Sequence, residues 1–331
     1  VRTIPVIDLA PGRADAADRA RTAELLGHAC DEVGFFQVTG HGVPAELVTE
    51  VFTVTRQFFA LAPDVKARVA QPAADQVRGW SGVGSEGITY SLDEESPADL
   101  KEKFDIGPWG LDPADPYVTD QAAGPHLAPN LWPRELPGLR PLWEDWYAEL
   151  ARVAGELMVL LTDALGLPQD TVTSRTDRAV SMLRALFYPD QPEPPLPGQM
   201  RAGIHSDYGT LTVVSAEDRP GGLQVLDRGG EWVDVPVIPG ALMVMVGDLL
   251  TEWTGDRWPA TLHRVVNPRR DRAMDSSRLA FAFYHHPAYD SLVDVLPGLP
   301  GGGDPPPGTP TAGEHLREKY LRQTSFGAGH H

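Results

Sequence analysis

Three residues of this 331-residue chain have the types and spacing to hold a metal ion. His205 and Asp207 stand two apart in GIHSDYGTLTVV, and His263 follows in TLHRVV. Residues i and i+2 of an extended strand point to the same face, so an imidazole nitrogen and a carboxylate oxygen would converge there. A second imidazole completes a set of two neutral nitrogens and one carboxylate. Such a set covers one face of a metal and leaves the other open, which suits Fe(II) that must also take dioxygen and a cosubstrate. Zn²⁺ accepts the same donors, and spacing does not separate the two metals. The plainer alternative is a hydrogen bond between His205 and Asp207 in a turn, with His263 satisfied in the core.

Two further groups bear on an anionic ligand. Arg278 opens RLAFAFYHHP, and a guanidinium there would grip a carboxylate through its planar fork if it faced inward. At the start of an edge strand it would be a surface residue instead. Arg184, Leu186 and Tyr188 alternate in SMLRALFYP and could share one interior face. An inward Arg184 would suit an acidic substrate such as an amino acid, or it would support the fold. Other candidate substrate contacts are Trp80, Tyr90, Tyr208, Phe283 and His285.

Those residues need elements to carry them. IPVIDL reads as a short strand, residues 14–29 have helical spacing, and GFFQVTG reads as a strand between glycines. A helix after Pro44 carries Leu47, Val48, Val51, Val54 and Phe58. Residues 77–110 read as irregular and long enough to carry binding residues. A long helix follows from Leu139 to about Leu165, its apolar positions spaced by three or four. From residue 179 the texture changes to short β-rich runs: LTVVSA, GLQVLD, EWVDVPV, ALMVMV, TLHRVV and RLAFAFYH. Many short strands at close spacing indicate a sandwich or barrel. A terminal helix is expected over residues 311–321, with disorder in GLPGGGDPPPG and in the last few residues. The divisions expected are 1–110, mixed helix and strand; 111–178, helical support; 179–295, the catalytic core; and 296–331, a loop and the terminal helix.

Composition narrows the partners. The formal net charge is −18, which repels phosphate backbones and argues against nucleic acid. A single cysteine, Cys30, can form neither an internal disulfide nor a cysteine-rich metal site. No signal peptide or membrane span is evident, so the expectation is a soluble cytoplasmic protein with a small-molecule substrate and no membrane partner. No sustained heptad seam speaks to oligomeric state.

Over nearly its whole length the chain resembles the Fe(II)/2-oxoglutarate-dependent dioxygenase superfamily, in its isopenicillin N synthase-like branch. IPVIDL and GFFQVTGHGVP are similar to that group's N-terminal region, and RGWSGVGSEGITYSLDEESPADLKEKFDIG to its bacterial members. LFYP, HSDYGTLTVV, GGLQV, ALMVMVGDLL, LHRV, RLAFAF and GEHLREKYLRQTSF then follow in the family's order. The resemblance implies a mixed α/β fold, a double-stranded β-helix (jelly-roll) core with flanking helices. It implies His205, Asp207 and His263 as iron ligands, with Arg278 and Tyr188 at the far carboxylate of 2-oxoglutarate. It also implies Fe(II), 2-oxoglutarate and O₂ as reactants, and a small-molecule substrate that is hydroxylated, desaturated or cyclised. Three departures stand out. Ala280 occupies the usual serine position two after the arginine, Leu186 replaces an asparagine, and the Met245 region lacks another. These departures keep open an Fe(II) oxidase that dispenses with 2-oxoglutarate. A metal-bearing jelly roll that only binds a ligand is the non-catalytic alternative.

Overall fold

The computed structural model describes residues 4–92, 94 and 96–324. The described strands are β1 (Val6–Asp8), β2 (Phe35–Thr39), β3 (Gly79–Ser81), β4 (Glu102–Ile106), β5 (Met182–Tyr188) and β6 (Ala202–His205). They continue as β7 (Leu211–Ala216), β8 (Leu223–Leu226), β9 (Trp232–Asp234), β10 (Leu242–Val246), β11 (His263–Val265) and β12 (Arg278–His285). They build an eight-stranded sheet in the order β1-β2-β10-β7-β12-β5-β4-β3 and a four-stranded sheet in the order β6-β11-β8-β9. Only β1–β2 runs parallel among the paired strands. The fold is a jelly roll with flanking helices.

Side-chain alternation decides what each face of the large sheet does. On β12, Leu279, Phe281 and Phe283 join the main core, while Ala280 and Ala282 belong to a second cluster between the sheets. On β10, Leu242, Val244 and Val246 face the main core, and Met243 and Met245 the second cluster. The outer face is covered by the long helix Leu139–Ala164, which brings Trp143, Trp146, Leu150 and Leu157 against it. Trp143 and Trp146 meet the Phe281 ring edge-on, with centroids at 5.4 and 5.9 Å. The helix Ala45–Phe59 packs alongside and satisfies the buried indole, since Trp143 Nε1 donates to Thr55 Oγ1 at 2.8 Å. The inner face is left for the site.

The segment 77–110 is more ordered than its composition suggests. It contains β3 and β4, and β4 pairs along its full length with β5. Its alternation is masked because both faces of β4 are buried but only one is apolar. Phe104 and Ile106 enter the main core, while Lys103 and Asp105 turn into a buried ionic cluster. The GLPGGGDPPPG stretch, expected to be disordered, lies among the described residues as a series of turns and bends. The terminal helix spans Ala312–Thr324, and the last few residues expected to be disordered lie outside the described residues. No helix among the described residues is long and apolar enough to cross a membrane.

Candidate metal centre and its cavity

Two neighbouring strands of the small sheet bring the histidines together. β6 and β11 pair with His205 opposite His263, and their ring centroids lie 4.0 Å apart. Asp207 sits just beyond the end of β6, with its backbone carbonyl accepting from Asp248 N–H at 2.8 Å. That approach needs Gly247, where a Cβ would fall 2.4 Å from the Gly209 carbonyl oxygen and 2.9 Å from that of Asp207. All three side chains are buried, and one ligand atom from each lies within 4.8 Å of the others.

The geometry separates the metal reading from the hydrogen-bonded turn. Nε2 of each histidine is 3.8 Å from Asp207 Oδ1, too far for a hydrogen bond. Asp207 Oδ2 is buried with no partner among the described residues. His205 Nδ1 lies 2.8 Å from the Gly203 carbonyl and His263 Nδ1 2.9 Å from that of Thr261. A carbonyl only accepts, so Nδ1 of each ring is the donor there, and Nε2 is the atom turned toward Asp207. Burial, and then the neighbouring His263, hold His205 well below the usual imidazole range, so it is neutral. Two imidazole nitrogens and a carboxylate with an orphaned oxygen fit a divalent cation.

The triad opens into a cavity between the two sheets. Arg278 and Tyr188 line it and are direct cross-strand neighbours on β12 and β5. Arg278 Nε donates to the Glu217 carbonyl at 3.0 Å, and its terminal nitrogens have no acceptor among the described residues. The Glu217 carboxylate is committed elsewhere, to Arg56 and to Leu279 N–H. Burial lowers the Arg278 pKa, an effect that nearby Tyr188 and Glu217 oppose. A buried guanidinium with free donors calls for an anionic ligand. Leu186, Ala280 and Met245, the three departures from the family pattern, all line this same cavity and make its wall apolar.

The remaining candidates scatter. Arg184 lines the cavity, but its guanidinium is held by both oxygens of Asp105, at 2.6 and 3.2 Å. Tyr208 lies beside Asp207 in an adjoining chamber and donates to Gln323 Oε1 at 3.0 Å. Trp80 packs on Lys66 and donates to Glu102, and it is not part of the cavity lining. Tyr90 lies in the short turn Ile88–Leu92, from which Ile88 lines the cavity. Phe283 faces the main core against Tyr147. His285, also off the cavity, has its Nδ1 2.7 Å from Thr210 Oγ1.

Sequence reasoning passed over Lys101, whose side chain reaches the cavity with Nζ 2.6 Å from Asp99 and 3.2 Å from Glu86. It belongs to a buried cluster of three cations and three carboxylates: Lys101, Lys103 and Arg184 with Glu86, Asp99 and Asp105. The alternation of Lys101, Lys103 and Asp105 was the available signal, since it puts three charges on one face of a strand otherwise committed to the core.

A jelly roll that encloses an open triad of this kind defines the class of mononuclear non-haem oxygenases. Comparison with known proteins agrees. Residues 4–135 match the N-terminal family of the non-haem dioxygenases in morphine synthesis, and residues 179–287 match the 2OG-Fe(II) oxygenase superfamily. The chain is 33% identical to validamycin A dioxygenase of Streptomyces hygroscopicus subsp. limoneus, over 99% of this chain and 88% of that protein. It is 31% identical to a homoarginine-6-hydroxylase of Oryza sativa subsp. japonica, over 97% of each. A full-length Neurospora crassa protein, solved in complex with alpha-KG and thymine, superposes with a TM-score of 0.82 at 26% identity, over 96% of both chains. The chain belongs to the Fe(II)- and 2-oxoglutarate-dependent oxygenase superfamily, and as such uses Fe(II), 2-oxoglutarate and O₂.

Proposed function

We propose that the protein hydroxylates a C–H bond of a small molecule, an amino acid or a natural-product intermediate, at an iron held by His205, Asp207 and His263. Fe(II) with 2-oxoglutarate and O₂ supplies the oxidising chemistry, with release of succinate and CO₂. The chain's own residues do the rest. Nδ1–H bonds to backbone carbonyls fix both imidazoles for coordination, and Asp207 offsets metal charge. Arg278, with Tyr188 beside it, anchors the far carboxylate of 2-oxoglutarate and so sets its direction in the cavity. The apolar wall of Leu186, Ala280 and Met245 excludes water along that length. Relatives named for validamycin A and for homoarginine support a small-molecule substrate.

The observation that carries this reading is the free end of Arg278, a buried cation facing the triad across one cavity. The test is to titrate anaerobic apoprotein with Fe(II) and then with 2-oxoglutarate. A weak visible charge-transfer band on the second addition is the expected result. Iron binding without that band would point to an oxidase independent of 2-oxoglutarate. Folded protein that takes up no Fe(II) would remove the triad assignment.

A further inference from the structure

Asp99 is far in sequence from the triad, yet two hydrogen bonds connect it to His205. Its Oδ1 accepts from Gly203 N–H at 2.9 Å, and the Gly203 carbonyl accepts from His205 Nδ1 at 2.8 Å. β6 is an edge strand of the small sheet, paired with β11 alone, so some of its backbone groups need partners from outside the ladder. The ladder is also irregular at this glycine. Ala202 pairs with Val265 and His205 with His263, so three steps along β6 match two along β11. That extra residue is a bulge over Gly203 and Ile204. In an unbroken strand, residues three apart point to opposite faces, but Ala202 and His205 both line the iron cavity. The bulge therefore sets the direction of His205.

A bulge built on glycine has a freely turning backbone and needs a fixed partner. Asp99 is one. It is 1% exposed, and its Oδ2 accepts from Lys101 Nζ at 2.6 Å and from Ile88 N–H at 3.2 Å. Lys101 is the counter-charge that a buried carboxylate requires. A bond from an amide to a carboxylate is also stronger than one to a carbonyl. Glycine is what admits the approach, since a Cβ at Gly203 would fall 2.1 Å from Thr89 Oγ1 and 3.5 Å from Asp99 Oδ1. His263 has no such support: its Nδ1 meets the Thr261 carbonyl, and Thr261 N–H donates to another carbonyl, that of Val246, at 3.3 Å. We propose that Asp99 is a positioning residue for the iron: through Gly203 it holds the bulge that aims His205, with Lys101 as its counter-ion. The proposal rests on the metal reading above.

The experiment is anaerobic equilibrium dialysis of Fe(II) against the full chain, native and as Asp99→Ala, Gly203→Ala and Asp105→Asn, with circular dichroism to show that each is folded. Asp99→Ala and Gly203→Ala should each lower Fe(II) affinity about tenfold or more. Asp105→Asn breaks the same ionic cluster without touching Gly203, and should change Fe(II) affinity less than about threefold. At saturating Fe(II), the 2-oxoglutarate charge-transfer band should shift in Asp99→Ala and keep its native position in Asp105→Asn. Native affinity and band position in folded Asp99→Ala, or an equal loss of affinity in Asp105→Asn, would overturn the proposal. If Asp99→Ala does not fold, Gly203→Ala retains every charge, and native affinity there would overturn it equally. A native chain that takes up no Fe(II) would instead strike the metal reading, so the two failures are distinguishable.

Discussion

Ala280→Ser gives the sharpest test of where the cosubstrate lies. Ala280 stands two residues from Arg278 on the same face of β12, is 4% exposed, and has Leu186 and Ala216 as cross-strand neighbours. Serine adds one hydroxyl to a wall that is apolar at this point, and the cavity gives it room. If Arg278 holds the far carboxylate of 2-oxoglutarate, that hydroxyl can donate to it, and a hydrogen bond to a charged group contributes about 1.5 kcal/mol. Affinity for 2-oxoglutarate should therefore rise about tenfold. Without cosubstrate the same hydroxyl is buried and unpaired, which costs about 1 kcal/mol and lowers Tm by about 2 °C. The assay is anaerobic titration of the Fe(II) protein, following the charge-transfer band, beside a thermal melt of the apoprotein. Unchanged or weakened affinity in a well-folded variant would refute the reasoning, because the carboxylate would then not lie beside Ala280.

Other perturbations test the remaining parts of the site. Asp207→Ala should lower Fe(II) affinity by about a hundredfold or more and abolish succinate release, read by equilibrium dialysis and by product assay. Arg278→Leu should weaken 2-oxoglutarate by about 2 kcal/mol, roughly thirtyfold, while leaving Fe(II) uptake intact; loss of both together would mean that the arginine supports the fold instead. Asp105→Asn leaves Arg184 buried beside a neutral amide and should cost about 3–5 kcal/mol in denaturant unfolding. Acid sensitivity follows from His126 and His285, which burial lowers from 6.5 to about 4. The unfolded chain takes up these protons more readily, so their contribution to stability is full above about pH 6.5 and falls as pH drops toward about 4. By about pH 5 each imidazole should account for about 2 kcal/mol. Denaturation midpoints that stay flat between about pH 7 and pH 5 would contradict that linkage.

How much of this was legible in the sequence depended on the range of the interactions involved. The clustering of the candidate triad was legible because His-x-Asp sets two donors side by side in the chain, and the order of the flanking motifs pointed to His263 as the third. The strand-rich second half was legible because half-buried strands alternate. Alternation on β12 also held more than the residue-by-residue reading used. A strand that turns Arg278 inward turns Phe283 and His285 outward, which is where both lie. What local pattern could not decide was partnership. Arg184 read equally as an inward cation for an acidic substrate or as a support of the fold, and Asp105, which neutralises it, reaches it only because β4 pairs with β5. The same pairing brings the Lys101, Lys103 and Glu86 charges into one cluster, and low dielectric makes such a cluster viable only when every member is matched. Donor types and strand parity belong to the local chain. Whether a buried donor is spent or free is settled by residues far away along the chain, and only the tertiary structure brings those together.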